Sequence, residues 1–120
     1  KALYIQMAES LAMRQQEDGF WRPNLDDPKH YDFRESSGTG FFTYGIAWGI
    51  NNGILDRERF LPVAKKGWAA LATVVNEEGV VGWCQPPNGG PDRVKETDST
   101  QYGSGIFLLA ASEMIQIETE

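Results

Sequence analysis

One cysteine and one histidine, Cys84 and His30, are all the sequence offers of two residue types that bind metals and carry much chemistry. A lone thiol closes no internal disulfide. Without a C-x-x-C pair or a Cys/His cluster, there is no ligand set for a structural zinc. The acidic pairs Glu17-Asp18 and Asp26-Asp27 lack the ligand spacing of a calcium loop and read as solvated loop charges. No apolar run approaches the roughly 18 residues that cross a bilayer. A signal-peptide pattern is missing too, which in a piece of a longer protein says nothing about export. Positive charge is the scarcer sign, 11 Lys and Arg against 17 Asp and Glu for a net −6. Phosphate backbones need a basic face, so nucleic acid is disfavoured as a partner. Sustained strand alternation is also absent, with short extended pieces at most around Phe20-Trp21 and Val80 to Trp83.

What remains is an ordinary globular composition, 41% hydrophobic, with aromatics at 12%. Rings suit stacking on the C–H face of a sugar, and they suit a large helical core equally well. Four helical stretches are expected. The first carries Leu3, Met7 and Leu11 at helical spacing beside Tyr4, Ala8 and Ala12, and ends before the turn pair Asp18-Gly19. The second begins at the capping residues Ser36-Ser37, carries Phe41, Tyr44, Ile46 and Trp48, and stops at Asn51-Asn52-Gly53. The third is expected from Pro62, whose fixed φ suits a first turn, with Ala64, Trp68, Leu71 and Val75 on one face. The fourth starts near Ser99-Thr100 and buries Ile106, Leu109, Ala110, Met114 and Ile117. Trp48 and Trp68, in mid-helix on apolar faces, read as core. The class is all-α.

An internal repeat organises these helices. Asp18-Gly19-Phe20-Trp21, a loop and Glu35-Ser36-Ser37-Gly38-Thr39-Gly40-Phe41-Phe42 are echoed by Glu78-Gly79-Val80-Val81-Gly82-Trp83, a loop and Asp98-Ser99 running into Tyr102-Gly103-Ser104-Gly105-Ile106. Helical hairpins with long loops on one rim describe an α/α toroid, which usually closes with six hairpins. Two hairpins cannot close it. The chain opens and ends directly at apolar-periodic stretches, so residues 1–120 are expected to be part of a longer barrel domain.

Several residues could carry chemistry. Hydroxyls and free N–H groups at Ser36 to Gly40 could hold an anion at a helix N-terminus, or simply cap the helix and permit close packing. Residues 99–105 repeat that offer more weakly. Glu35 and Asp98 could bond sugar hydroxyls, act as general acid or base, or favour the helix dipole. Trp21 could stack on a sugar and Arg22 clamp a carboxylate, or Trp21 could anchor the loop with Arg22 exposed. Trp83 and Gln85 form the matching pair. The GxG spacings are no dinucleotide fingerprint, since no strand precedes them.

Together these blocks carry a resemblance. Gln15 to Pro23, the Tyr31 loop, Glu35 to Phe42 and Trp48 to Gly53 resemble the C-terminal third of family 105 glycoside hydrolases. These are the unsaturated rhamnogalacturonyl hydrolases, relatives of the family 88 unsaturated glucuronyl hydrolases. Gly82-Trp83-Cys84-Gln85-Pro86, Asp98-Ser99 and Tyr102 to Ala110 fit the same family's last hairpin, so the likeness spans essentially the whole chain.

The resemblance implies an (α/α)6 barrel of which this chain supplies about two hairpins. It implies removal of a terminal 4,5-unsaturated uronic acid from lyase-generated oligosaccharides. An aspartate protonates the enol-ether double bond, C5 is hydrated, and the hemiacetal rearranges to release the sugar. No metal or organic cofactor is implied, and the compartment implied is the bacterial cytoplasm or periplasm. The family's catalytic aspartate and its Trp-x-Arg-Gly-Asn-Gly-type block have no counterpart here, so no catalytic residue is expected in this chain. The ligand-side residues expected are Ser36, Ser37, Trp21 and Arg22, then Glu35, Trp83, Gln85 and Asp98. The remainder of the barrel is the expected partner.

Two rival readings stand beside it. Gln15 to Trp21 is similar to the Gln-Trp repeats that brace terpenoid-cyclase toroids, but Asn24-Leu25-Asp26-Asp27 misses the first Asp of their acid motif. A non-catalytic helical-repeat or sugar-binding module is the other.

Overall fold

The computed structural model describes residues 1–85 and 94–119; Pro86 of the Gly82 to Pro86 block lies outside them. Among the described residues the fold is four helices with one isolated antiparallel bridge, Val75 to Val81. The helices are α1 (Ala2–Arg14), α2 (Ser36–Asn51), α3 (Arg57–Ala72) and α4 (Gln101–Thr119). Helix α2 is central and packs against both α3 and α4.

The second and fourth helices form where their sequence signals place them, but the caps differ. The acceptor at the start of α2 is the Glu35 carboxylate, not a serine hydroxyl. At α4 the Thr100 hydroxyl accepts the Gly103 N–H at 3.0 Å, as a threonine cap should. The third helix corrects the expectation built on Pro62. It begins five residues earlier, because Asp56 caps it by accepting the Arg59 N–H at 3.2 Å. Pro62 is then interior and leaves the Glu58 carbonyl without its i+4 donor.

Burial selects the faces. Helix α4 buries Ile106, Ala110, Met114 and Ile117, while Leu109 is exposed. On α1 the inward stripe is Tyr4, Ala8, Leu11 and Ala12, and the expected partners Leu3 and Met7 face outward, 67% and 58% exposed. Trp48, expected in the core, is also exposed, while Trp68 is half-buried against Phe107. Val75 lies beyond the end of α3, in the bridge. Phe20, Phe60, Leu71, Met114 and Ile117 are fully buried, each contributing about 1.5–3 kcal/mol. Gly40 lets α4 approach α2, since a Cβ there would sit 2.5 Å from Ile106 Cγ2.

The repeat is visible bond for bond. In the first copy the Gln16 N–H donates to the Phe20 carbonyl and the Gly19 N–H to the Gln16 carbonyl. Sixty positions on, Asn76 donates to Val80 and Gly79 to Asn76. Gly19 and Gly79 take φ of +90° and +83°, the left-handed region where glycine is unstrained. The Gln15 to Trp21 signature is a brace. The Gln15 amide donates to the Gly19 and Val63 carbonyls, and the Trp21 indole N–H donates to the Leu11 carbonyl at 2.7 Å. No helix among the described residues is long and apolar enough to cross a membrane.

Candidate functional site

The expected site residues gather around the N-terminus of α2. A cleft of about 320 Å3 opens there, lined by Trp21, Arg22, Glu35, Phe42 and Gln85, with Gly38 on its helical wall. Four of the eight residues expected from sequence therefore meet in one place, although they come from segments up to 64 positions apart.

Glu35 organises it. The residue is extended (φ −140°, ψ 117°) and buried, and its two carboxylate oxygens are fully used. Oε2 accepts the Ser37 N–H at 2.9 Å and the Gln85 N–H at 3.0 Å, Oε1 accepts the Gly38 N–H at 2.9 Å, and the Ser37 hydroxyl donates to both. One side chain thus caps a helix and holds the start of the second long loop. Ser36 N–H adds a bond to the Trp83 carbonyl at 2.8 Å. The Ser36 hydroxyl is buried and has no partner among the described residues, while Ser37 is half-buried with its hydroxyl spent on Glu35.

Arg22 lies across the cleft, its side chain only 13% exposed. Asp18 receives both terminal nitrogens, at 2.8 and 3.3 Å, and Asp32 receives Nε at 2.9 Å. Burial works against the charged guanidinium, but the bonds to Asp18 and then Asp32 outweigh it, so the Arg22 pKa is raised. Burial likewise pushes the Asp18 carboxyl up, and the bonds from Arg22 and the Phe20 N–H overcome it, leaving the pKa lowered. Among the described residues three of the five guanidinium N–H donors are engaged and two have no protein partner. Arg22 is a held donor rather than a free clamp.

Trp21 is not a stacking platform in this chain. Its ring is 2% exposed, packs edge-on to Phe42 at 5.4 Å, and spends its N–H on Leu11. The Trp21 backbone N–H is in turn held by the buried Thr39 hydroxyl at 3.1 Å. So little of Trp21 is open that it anchors the loop, but Arg22, expected exposed beside such an anchor, is 13% exposed and ion-paired instead. Asp98 stands apart from the cleft. Its carboxylate closes a local turn by accepting the Lys95 N–H at 2.8 Å, and its carbonyl accepts the Cys84 N–H. The parallel drawn between Glu35 and Asp98 therefore fails at the cap, where Thr100 takes over. Trp83 lines a different cleft.

Sequence reasoning missed Phe42, which lines the site, and gave no role to Arg34, which lies outside this cleft with its guanidinium 6.0 Å from the Phe20 centroid and 5.9 Å from that of Trp83. No group of three metal-binding side chains occurs among the described residues.

With this geometry established, comparison with known proteins places the chain. The profile of Glycosyl Hydrolase Family 88 matches residues 1–118. An unsaturated 3S-rhamnoglycuronyl hydrolase of Alteromonas sp. (strain LOR) is 50% identical over 113 residues, 94% of this chain and 27% of that protein. One of the same name from Formosa agariphila is 42% identical over 116 residues, 97% of this chain and 31% of that protein. The solved structure of a family 88 glycosyl hydrolase from Bacteroides vulgatus superposes with a TM-score of 0.87 at 39% identity, covering 92% of this chain and 33% of that one. The chain thus spans about a third or less of the length of these relatives. Its all-helical hairpins are part of an (α/α)6 toroid, as the repeat implied. The chain belongs to Glycosyl Hydrolase Family 88.

Proposed function

We propose that this chain forms part of the sugar pocket of an unsaturated glycuronyl hydrolase, one that removes a terminal 4,5-unsaturated uronic acid from oligosaccharides left by polysaccharide lyases. In that reaction water adds across the enol-ether double bond, hydroxyl at C5 and proton at C4. The resulting hemiacetal opens and frees the next sugar. A carboxylic acid outside this chain supplies the proton, because Glu35, the carboxylate on the cleft wall, has both oxygens committed to its own helix and to Gln85.

The observation that carries the reading is the cleft at the α2 N-terminus. Arg22, two of whose N–H donors have no partner among the described residues, lines it beside Phe42 and the half-buried Gln85. Donors beside an apolar ring match a planar, unsaturated sugar acid, whose carboxylate needs charge-assisted bonds and whose ring needs an apolar face. Relatives named as unsaturated rhamnoglycuronyl hydrolases support the substrate class. Trp21, Ser36 and Ser37 hold the wall in place, and Arg22 and Gln85 face the ligand.

The test is turnover. The full-length enzyme carrying this chain should abolish the ultraviolet absorbance of an unsaturated uronyl disaccharide and leave the saturated analogue intact. The chain alone should do neither. Cleavage of saturated and unsaturated substrates at equal rates would overturn the reading.

A further inference from the structure

The cleft just described is not the largest on the molecule. A second, of about 420 Å3, lies on the other side of the ridge formed by residues 34–36 and 83–85, lined by Arg34, Asn76, Val80, Trp83, Glu96 and Thr97 among others. The ridge is tied by Ser36 N–H to the Trp83 carbonyl and Gln85 N–H to Glu35. Along it, Glu35 and Gln85 line the first cleft while Arg34 and Trp83 line the second.

The backbone is bent to achieve this. In an extended segment residues 83 and 85 would share a side. Trp83 instead takes φ +55°, a left-handed conformation uncommon for a bulky residue and costly by about 1 kcal/mol or more. Hydrogen bonds hold it from both sides, its N–H to the Lys95 carbonyl at 3.2 Å and its carbonyl to Ser36. The consequence is a half-buried tryptophan ring turned into the second cleft under the Arg34 guanidinium.

Arg34 is exposed and makes no ion pair within bonding distance of any described carboxylate; it lies over the faces of Phe20 and Trp83, and its charge reaches Asp18 only through space, helping to lower that carboxyl's pKa. Contrast Arg22, which two aspartates already neutralise. Around Arg34 stand groups that bond neutral hydroxyls. Asn76 uses its carbonyl oxygen on Glu78 and Val80 N–H, its amide N–H2 has no partner among the described residues, and Thr97 and Glu96 are exposed.

From these we infer that the Arg34–Trp83 cleft is a second carbohydrate site, taking an acidic sugar unit whose anionic group bonds Arg34 and whose ring lies against Trp83. The choice of a sugar acid over another anion rests on the proposed function. The site itself rests on the cleft, the exposed guanidinium that no described carboxylate bonds, and the twisted tryptophan.

Calorimetric titration of the full-length enzyme with a saturated uronic-acid disaccharide, which is not turned over, tests the inference. Arg34→Met should weaken binding about tenfold, the scale of one lost charge-assisted bond, and Arg34→Lys should recover part of it. The same variants should change kcat/KM for an unsaturated disaccharide less than twofold. A neutral disaccharide and inorganic sulfate serve as further probes. Loss of neutral-sugar binding to the same degree would reduce Arg34 to a packing role and overturn the inference. Sulfate binding as tight as the uronide would overturn the sugar assignment. Normal turnover with uronide binding indifferent to Arg34 would sink this site alone. No turnover of any unsaturated substrate, with Arg34-dependent binding intact, would sink the proposed reaction and uphold the site.

Discussion

Removing the Glu35 carboxylate should show how much one side chain holds at the junction of the two hairpins. Glu35→Ala takes away the cap of α2, a loss of about 1 kcal/mol. It also strands the Gln85 N–H, which has accepted a place in a part-buried junction at 3.0 Å from the carboxylate. An unpaired buried N–H costs about 1–3 kcal/mol, and the partial burial of this one puts it at about 1–2, so the sum is about 2–3 kcal/mol. With a urea dependence of about 2 kcal/mol per molar, the unfolding midpoint should fall by about 1 M. Glu35→Asp divides the two effects. Aspartate caps well, but one methylene less withdraws it from Gln85, so about half the loss should return. Glu35→Gln should fall between the two, because its amide presents donors to donors. Urea titration followed by tryptophan fluorescence measures all three. The reasoning is refuted if Glu35→Ala shifts the midpoint by less than about 0.2 M, or if aspartate is as damaging as alanine.

Other substitutions examine the frame in the same way. Gly19→Ala should destabilise by more than about 2 kcal/mol, combining a left-handed φ with a Cβ 2.4 Å from the Lys66 carbonyl oxygen. Gly79→Ala, with similar φ and nothing within 4 Å, should cost only about 1 kcal/mol, and equal losses would discredit the clash. Trp21→Phe should lose about 1–3 kcal/mol through the unpaired Leu11 carbonyl while leaving KM unchanged; a large rise in KM would restore Trp21 as a sugar platform. Asp18 has a folded pKa below the ordinary aspartate value, so its pairing with Arg22 is fully present above that ordinary value and is lost as pH falls through the lower folded one. Asp18→Asn should therefore flatten the stability profile below about pH 4, which acid unfolding curves of the two proteins would check.

Much of the frame was written locally. The Asn51-Asn52-Gly53 stop and the Thr100 cap are settled within a few residues, and the acidic-Gly turns repeat because the same short-range bonds recur. Signals of that range also misled. Pro62 fits a first turn, yet Asp56 upstream offers a capping oxygen, and an exposed proline is tolerated one and a half turns in. Periodicity on α1 marked two adjacent apolar stripes without saying which one meets α2. At the site, the residue types were legible and their roles were not. Whether Trp21 stacks on a sugar or on Phe42 depends on a residue 21 positions away, and Glu35 became a clamp only because Gln85 arrives from 50 positions downstream. Arg34 escaped notice because an exposed arginine in a loop looks the same whether or not a carboxylate waits for it.

Helix α1 has a further property worth following. Its apolar contacts with the body are modest, and a small apolar groove of about 110 Å3 separates it from α2. Three directional bonds locate it instead: Tyr4 hydroxyl to the Gly45 carbonyl, Trp21 indole to Leu11, and Gln15, just past its end, to Val63. Dispersion contacts are indifferent to small translations along a helix axis, whereas a hydrogen bond is lost within an ångström. Such pegs index the helix. A rod fixed in this way can present Leu3 and Met13 on its outer side at a constant height, so whatever packs there meets the same pattern every time the chain folds.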